Sequence, residues 1–245
     1  MVKVVFLGTG GTPGVPWRAQ MGILIEAEGV IYLFDVGEHI ERRITELGLR
    51  AIDINKIFIT HPHFDHISGI ASLMTLMISE GLNRRIEVYG PPTIEEALKS
   101  IFINIGPKKG LDFVTIKPIK ENIIIKDETF DIKTFHVEHS VEAVGYEINV
   151  DKLRIVYTGD TVPCENIKQR ARDADLIIHE ASFPDWMEEQ AEATYHSTIS
   201  QAIEVSKNAK QIALVHITKF SQEQIVKGPL PPKILVPSDL TVIRL

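Results

Sequence analysis

Thr60-His61-Pro62-His63-Phe64-Asp65-His66 comes directly after the β-rich run Lys56 to Ile59. It sets four potential metal ligands, His61, His63, Asp65 and His66, within six residues. A chain that turns at the end of a buried strand can converge such side chains on one point without taking apolar residues out of a core. Neutral imidazole suits zinc, iron or copper, and a carboxylate adds an oxygen ligand that can also accept a proton. One loop cannot complete two metal spheres, so further donors are expected at other strand ends. His139 follows the run Phe130 to Val137, Asp160 ends Tyr157-Thr158-Gly159-Asp160, and His216 ends Ile212 to Val215. Taken singly, each is equally well a hydrogen-bonded histidine or a turn aspartate. Their shared placement at strand ends is what joins them to the cluster.

Outward from that loop, short β-rich runs recur along the whole chain. They are Val2 to Leu7, Gly22 to Glu26, Val30 to Phe34, Lys56 to Thr60, Ile86 to Tyr89, Phe113 to Ile116 and Asn122 to Ile125. Phe130 to Val137, Val144 to Val150, Arg154 to Thr158, Leu176 to His179, Ile212 to His216, Lys233 to Val236 and Thr241 to Leu245 follow. Helical spacing marks Ile40 to Leu47, Ile67 to Glu80, Ile94 to Ile103, Ile167 to Ala174 and Thr198 to Lys207. Many strands with fewer helices predict an α/β class of layered sheets with helices outside. Thr198 and Gln201 stand at capping-box spacing, which places His196 in the loop that delivers a helix N-terminus, a position that favours anions.

The 245 residues are 44% hydrophobic and 24% charged, enough for a sizeable core, and the absence of repeats or linkers predicts a single domain over residues 1–245. Ile67 to Ile78 is the longest nearly apolar run, too short and too interrupted to span a bilayer, which needs about 20 apolar residues. No export signal is legible at the N-terminal end, and the single cysteine, Cys164, excludes an internal disulfide. The cytoplasm is the expected compartment, with no membrane partner. With 26 basic against 33 acidic residues the formal net charge is -7, so no whole-molecule field draws the protein to nucleic acid. The basic segments Arg42-Arg43, Asn83-Arg84-Arg85 and Pro107-Lys108-Lys109 read as solvated helix ends or loops. Gly8-Thr9-Gly10-Gly11 is not a dinucleotide fingerprint, because Pro13 and Pro16 stand where the helix should begin; a mobile or tight loop bordering the site is expected instead. Cys164 reads as a small buried residue rather than a nucleophile.

Motifs spread over nearly the whole chain resemble the metallo-β-lactamase superfamily, and within it the ribonuclease Z branch. They are Phe6-Leu7-Gly8-Thr9-Gly10-Gly11, Phe34-Asp35-Val36-Gly37-Glu38, the His61 to His66 motif, Val88-Tyr89-Gly90-Pro91-Pro92 and His139 with Gly145-Tyr146. Tyr157-Thr158-Gly159-Asp160-Thr161, Asp175 to Ala181 around His179-Glu180, His196-Ser197-Thr198 and Val215-His216 complete the set. The resemblance implies a four-layer αββα sandwich with two divalent metal ions, zinc by preference and manganese or iron as alternatives. It places His61, His63 and His139 on one metal, Asp65, His66 and His216 on the other, and Asp160 between them. Two such cations can lower the pKa of a bridging water and hold both oxygens of a phosphoryl displacement. The resemblance further implies that Asp65 orients that water and takes its proton. His196 then stabilises the phosphoryl group or protonates the leaving group, with Glu180 orienting it. A homodimer is implied as well. His39, His136 and His179 remain for structural or supporting positions, and Asp35 for an acceptor behind a ligand histidine.

Two departures bear on substrate. Family members that process transfer RNA carry a protruding arm between the third-motif histidine and the bridging aspartate, whereas His139 and Asp160 are 21 positions apart here, most of them strand-like. Phe64 stands where the motif usually has glycine, which predicts a bulky ring beside the metals and a narrower pocket. The leading expectation is a phosphodiesterase acting on RNA or on a smaller phosphodiester. A thioester, lactone or sulfate-ester hydrolase is the alternative, which leaves Glu180 and His196-Ser197-Thr198 without a purpose. A non-catalytic metal or nucleic-acid binding module ranks last.

Overall fold

The computed structural model describes residues 1–107, 109–228 and 230–245, so the Lys108 of the third basic segment lies outside the described residues. The chain forms two compact units, one of residues 1–8, 19–119 and 238–245, the other of residues 9–18 and 120–237.

The first unit is built on β1 (Val2–Gly8), β2 (Gly22–Ala27), β3 (Val30–Phe34), β4 (Ile54–Phe58), β5 (Ile86–Gly90), β6 (Val114–Pro118) and the C-terminal β14 (Thr241–Arg244). They make one mixed sheet in the order β14-β1-β2-β3-β4-β5-β6. Glu28 and Gly29, with φ of 53° and 80°, close the β2–β3 hairpin in the two-residue form whose twist matches the strands. From β3 to β6 the pairing is parallel, so the ends of β3 and β4 lie side by side at one edge. One face of the sheet packs Leu33, Ile57 and Val88 against Ile40 and Ile44 of α1 (Ile40–Glu46), Leu73 and Met77 of α3 (Ile70–Ser79) and Leu98 of α4 (Ile94–Asn104). Each large apolar side chain buried there is worth roughly 1.5–3 kcal/mol. The alternate positions Phe6, Ile23, Phe34 and Phe58 are also buried, which is why the strands read as continuous apolar runs.

The run Ile67 to Glu80, expected as one helix, is two: α2 (Phe64–Ile67) ends at Ser68, and α3 starts beyond Gly69. The cause is a close backbone approach. A Cβ on Gly69 would fall 2.1 Å from the Gly37 carbonyl oxygen, and the Gly69 N–H donates to Val36 O at 2.9 Å. The basic side chains are absorbed locally: Arg43 pairs with Glu46 and Asp239, and Arg84 donates to the carbonyls of Ile52 and Ile54.

The second unit holds β7 (Ile124–Lys126), β8 (Phe130–His136), β9 (Val144–Val150), β10 (Leu153–Tyr157), β11 (Leu176–Glu180), β12 (Gln211–Val215) and β13 (Ile234–Leu235). They form a mixed sheet in the order β13-β12-β11-β10-β9-β8-β7. Ile167 and Ala171 of α5 (Glu165–Ala171) and Ile199 and Ala202 of α7 (Ile199–Ser206) pack on Phe135, Ile177 and Leu214. The expected capping box is present, with Thr198 accepting from the Gln201 N–H and the Gln201 side chain accepting from the Thr198 N–H. The helices α6 (Glu188–Ala193) and α8 (Lys219–Ile225) escape a reading by periodicity because each buries one small residue, Ala191 and Ser221. Cys164 caps α5 half-buried, and burial pushes its thiol up, away from a nucleophile's range.

Candidate metal centre

In the first unit, Asp35 follows β3, and Thr60 and His61 follow the parallel neighbour β4. Asp35 is fully buried with φ 58°, a left-handed conformation that Asp tolerates better than most residues. Its carboxylate accepts from the Thr60 N–H at 2.8 Å, from Thr60 Oγ1 at 2.9 Å and from His66 Nδ1 at 2.8 Å. Because Thr60 Oγ1 donates to Asp35, it accepts from His61 Nδ1 at 2.9 Å. Both buried imidazoles therefore carry their proton on Nδ1 and present Nε2 as the donor atom. His61 Nε2 stands 3.0 Å from His63 Nδ1, close to the spacing of roughly 3.3 Å that two nitrogens take on a tetrahedral zinc. Asp65, in the first turn of α2, is buried beside them in sequence.

In the second unit, β8, β10, β11 and β12 run in one direction, so the segments after them emerge at one edge of the sheet. His139, Asp160, Glu180 and His216 all come from that edge. The ligand atoms of Asp160, His196 and His216 lie within 4.8 Å of one another, and His216 Nε2 is 3.3 Å from Asp160 Oδ2. The same fixing of tautomers recurs. His139 Nδ1 donates to the Tyr195 carbonyl at 2.9 Å, which a carbonyl can only accept. Ser182 Oγ donates to Glu180 Oε2 at 2.5 Å and hence accepts from His216 Nδ1 at 2.7 Å. His196 Nδ1 donates to Glu180 Oε1 at 2.8 Å. All three rings are left with Nε2 as the chemically active nitrogen.

Glu180 is buried and also accepts the Thr161 and Ser182 N–H groups, at 3.0 and 3.1 Å. Burial raises its pKa, but the His196 charge and hydrogen bond outweigh that and hold the carboxyl below the usual range. Burial lowers the pKa of His139 most, against the pull of Asp160, which favours the neutral imidazole. Ser182 was not singled out from the sequence, and neither was the Tyr195 carbonyl; the αL conformation at Tyr195, φ 59°, is what aims it. Gly11 backs onto the His216 ring, where a Cβ would fall 2.4 Å from Nδ1, so the glycine loop is a tight one fitted to that imidazole. His39 and His136 are exposed.

His179 is fully buried and donates from Nδ1 to the Glu180 carbonyl at 2.7 Å. Burial depresses its pKa below 6.5, so the unfolded chain binds more protons than the folded one as pH falls through that value. Stability from this group is complete above pH 6.5 and is lost on acidification below it. The thermal midpoint of metal-free protein is expected to fall from pH 7 towards pH 5, and less so in His179→Gln. Parallel curves for the two proteins would contradict this.

Within each unit the donors thus have the composition of a divalent-metal site, imidazole nitrogens and carboxylates, and the rings of His61, His66, His139 and His216 are each steered by a second group. Ribonuclease Z of Pyrococcus abyssi (strain GE5 / Orsay) is 31% identical over 293 positions, covering 98% of this chain and 94% of that protein. The family profile described as anti-Pycsar protein Apyc1 matches residues 2–228. The chain belongs to the Apyc1 family, within the ribonuclease Z group. Human tRNase Z, short form, superposes on this Apyc1-family chain with a TM-score of 0.79 at 27% identity, covering 99% of this chain and 98% of that one. The metallo-β-lactamase fold protein YhfI of Bacillus subtilis gives 0.83 at 18%, with coverages of 99% and 98%. The two mixed sheets, each with helices, are those of the metallo-β-lactamase fold. The alignment with the Pyrococcus relative spans 293 positions against 245 residues here, so at least 48 of its positions have no counterpart in this chain.

Proposed function

We propose that this Apyc1-family protein is a phosphodiesterase for a small phosphodiester, with His61, His63, Asp65, His66, His139, Asp160 and His216 as the ligands of two divalent metal ions. Membership of the ribonuclease Z group makes it a metal-dependent hydrolase of phosphodiester bonds. The observation that carries the reading is the Glu180–His196 pair beside Asp160 and His216, because a metal-binding module has no use for an oriented proton donor. Bound cations would supply Lewis acidity, lowering the pKa of water and neutralising phosphoryl charge. Asp65 takes the proton of the attacking water. His196, with Nδ1 fixed on Glu180, delivers a proton from Nε2 to the leaving oxygen. Zinc suits the nitrogen-rich donor set. The cytoplasm agrees with a single cysteine, and among the described residues no helix is long and apolar enough to cross a membrane. A homodimer is carried over from the resemblance alone. The two units act as one catalytic domain.

The preference for a small substrate rests on what lies between His139 and Asp160. Strands β9 and β10 with their turn occupy most of that span, leaving no length for an arm that grips a tRNA body. Metal-loaded protein should therefore turn over bis(p-nitrophenyl) phosphate and a cyclic nucleotide, and should leave a 3′-extended precursor tRNA intact under the same conditions. Efficient tRNA cleavage would overturn the size preference. Activity confined to a thioester or lactone would overturn the phosphodiesterase reading.

A further inference from the structure

Asp185 stands in the turn between β11 and α6 and takes no part in the chemistry described so far. Its Oδ1 accepts from the Ser200 N–H at 2.8 Å, and its Oδ2 from the Ser200 hydroxyl and from Gln224 Nε2, both at 2.6 Å. Gln224 Oε1 accepts the Asp185 N–H in return, at 2.7 Å. Burial raises the pKa of this carboxyl, but the hydrogen bonds from Ser200 and Gln224 outweigh that and hold it below the usual range. A negative charge is therefore fixed at the first turn of α7, the end where the helix dipole favours it.

The two helices that Asp185 joins are those that follow the stacked imidazoles of the second unit. His196 lies three positions before the first residue of α7, and His216 three before the first residue of α8. Their rings stack at 5.5 Å with 18° between the planes. Ile199 and Ala202 seat α7 on its sheet, whereas α8 buries only Ser221, so its placement leans on polar ties. The segment ahead of Asp185 supplies more of them. The Ser182 carbonyl accepts from Thr218 Oγ1 at 2.5 Å, the Phe183 N–H donates to Ser197 O at 3.2 Å, and Phe183 O accepts from the Ile199 N–H at 3.0 Å. Residues 182–185 thus form a strap between the two helices, and at Asp185 one side chain grips both. Glu180 fixes the rotation of the His196 ring, while the strap fixes where its backbone stands relative to His216.

We propose that Asp185 is a positioning residue for His196: by holding Ser200 and Gln224 on one carboxylate it sets the spacing of the His196 and His216 loops, and so the aim of His196 Nε2 at the leaving oxygen. This rests on the phosphodiesterase reading, in which His196 delivers the leaving-group proton.

Two substrates and a double variant separate positioning from plain structural support. Asp185→Ala is expected to lower kcat on 3′,5′-cyclic adenosine monophosphate by about 10–100-fold with KM little changed, the scale of a small misplacement of a catalytic group. On bis(p-nitrophenyl) phosphate, whose leaving group departs without a proton, the loss should be no more than about three-fold. Asp185→Asn keeps the size and an acceptor for the Ser200 N–H and should recover most of the loss; Gln224→Ala, which removes only the α8 half of the tie, should fall in between. Asp185→Ala combined with His196→Ala should be no slower than His196→Ala alone, because the first acts through the second. A readout independent of turnover is the solvent exchange of the His196 Nδ1 proton in metal-free protein, followed by NMR and assigned by its absence from His196→Ala. It should exchange about ten-fold faster in Asp185→Ala, the scale of one charged hydrogen bond lost from local opening. Equal losses on the two substrates, a double variant slowed by the full Asp185→Ala factor, or an unchanged exchange rate overturns the proposal. If wild type hydrolyses neither substrate, it is the phosphodiesterase reading that fails, and the exchange rate alone then decides whether Asp185 holds His196.

Discussion

Replacing His196 by alanine is expected to slow hydrolysis of a phosphodiester with a poor leaving group, such as a cyclic nucleotide, by about 10²–10⁴-fold, the usual contribution of a positioned acid. The His196 ring is 17% exposed, with its Nδ1 on Glu180 and its face stacked 5.5 Å from the His216 ring, so it meets solvent only in part and cannot swing away from the site. The loss should depend on the leaving group. A p-nitrophenolate departs without a proton, so bis(p-nitrophenyl) phosphate should lose much less than a cyclic nucleotide in the same variant. Glu180→Gln keeps a hydrogen-bond acceptor for Nδ1 while removing the negative charge, and should fall between wild type and His196→Ala. The measurement is kcat on both substrates for all three proteins. Equal losses on the two leaving groups would show that His196 serves binding or folding rather than proton delivery.

The second large effect is expected from Asp35→Ala, and it should appear in stability as well as in metal binding. Removing this carboxylate strands the Thr60 N–H, the Thr60 hydroxyl and His66 Nδ1, all in fully buried residues. Breaking one partner of a buried, hydrogen-bonded pair typically costs about 3–5 kcal/mol. Alanine at φ 58° adds backbone strain that aspartate bears more easily. The rings of His61 and His66 also lose the interaction that sets their tautomers, and loss of such outer support commonly weakens metal binding about 10–100-fold. Urea unfolding of metal-free protein should show the stability loss, and competition with a zinc chelator should show the weaker binding. Asp35→Asn, which tolerates the left-handed backbone and keeps one acceptor, should recover part of the stability. A metal affinity unchanged in Asp35→Ala would mean that the His66 ring is held by packing alone.

The candidate donors stand out along the chain because each lies at or just past the end of a β-rich run, where local alternation stops. The fourteen runs match the fourteen strands of the described residues, with ends shifted by up to two residues, as at Lys56 to Thr60 against Ile54–Phe58. Helices with an apolar stripe were legible on the same ground, and α6 and α8, which bury almost nothing, were not. The break at Gly69 escaped because its cause is the Gly37 carbonyl, 32 positions earlier in the chain.

Residue types and strand ends are local properties, so sequence alone determined which imidazoles and carboxylates are offered and from which turns. Which nitrogen each imidazole offers depends on a partner brought from elsewhere: Asp35 is 31 positions from His66, Ser182 is 34 from His216, and the Tyr195 carbonyl is 56 from His139. The exposure of the Phe64 ring, 65%, was likewise decided by the folded chain and not by its place in the motif. A hydrogen bond between distant segments leaves no periodicity behind, and only the folded chain records it.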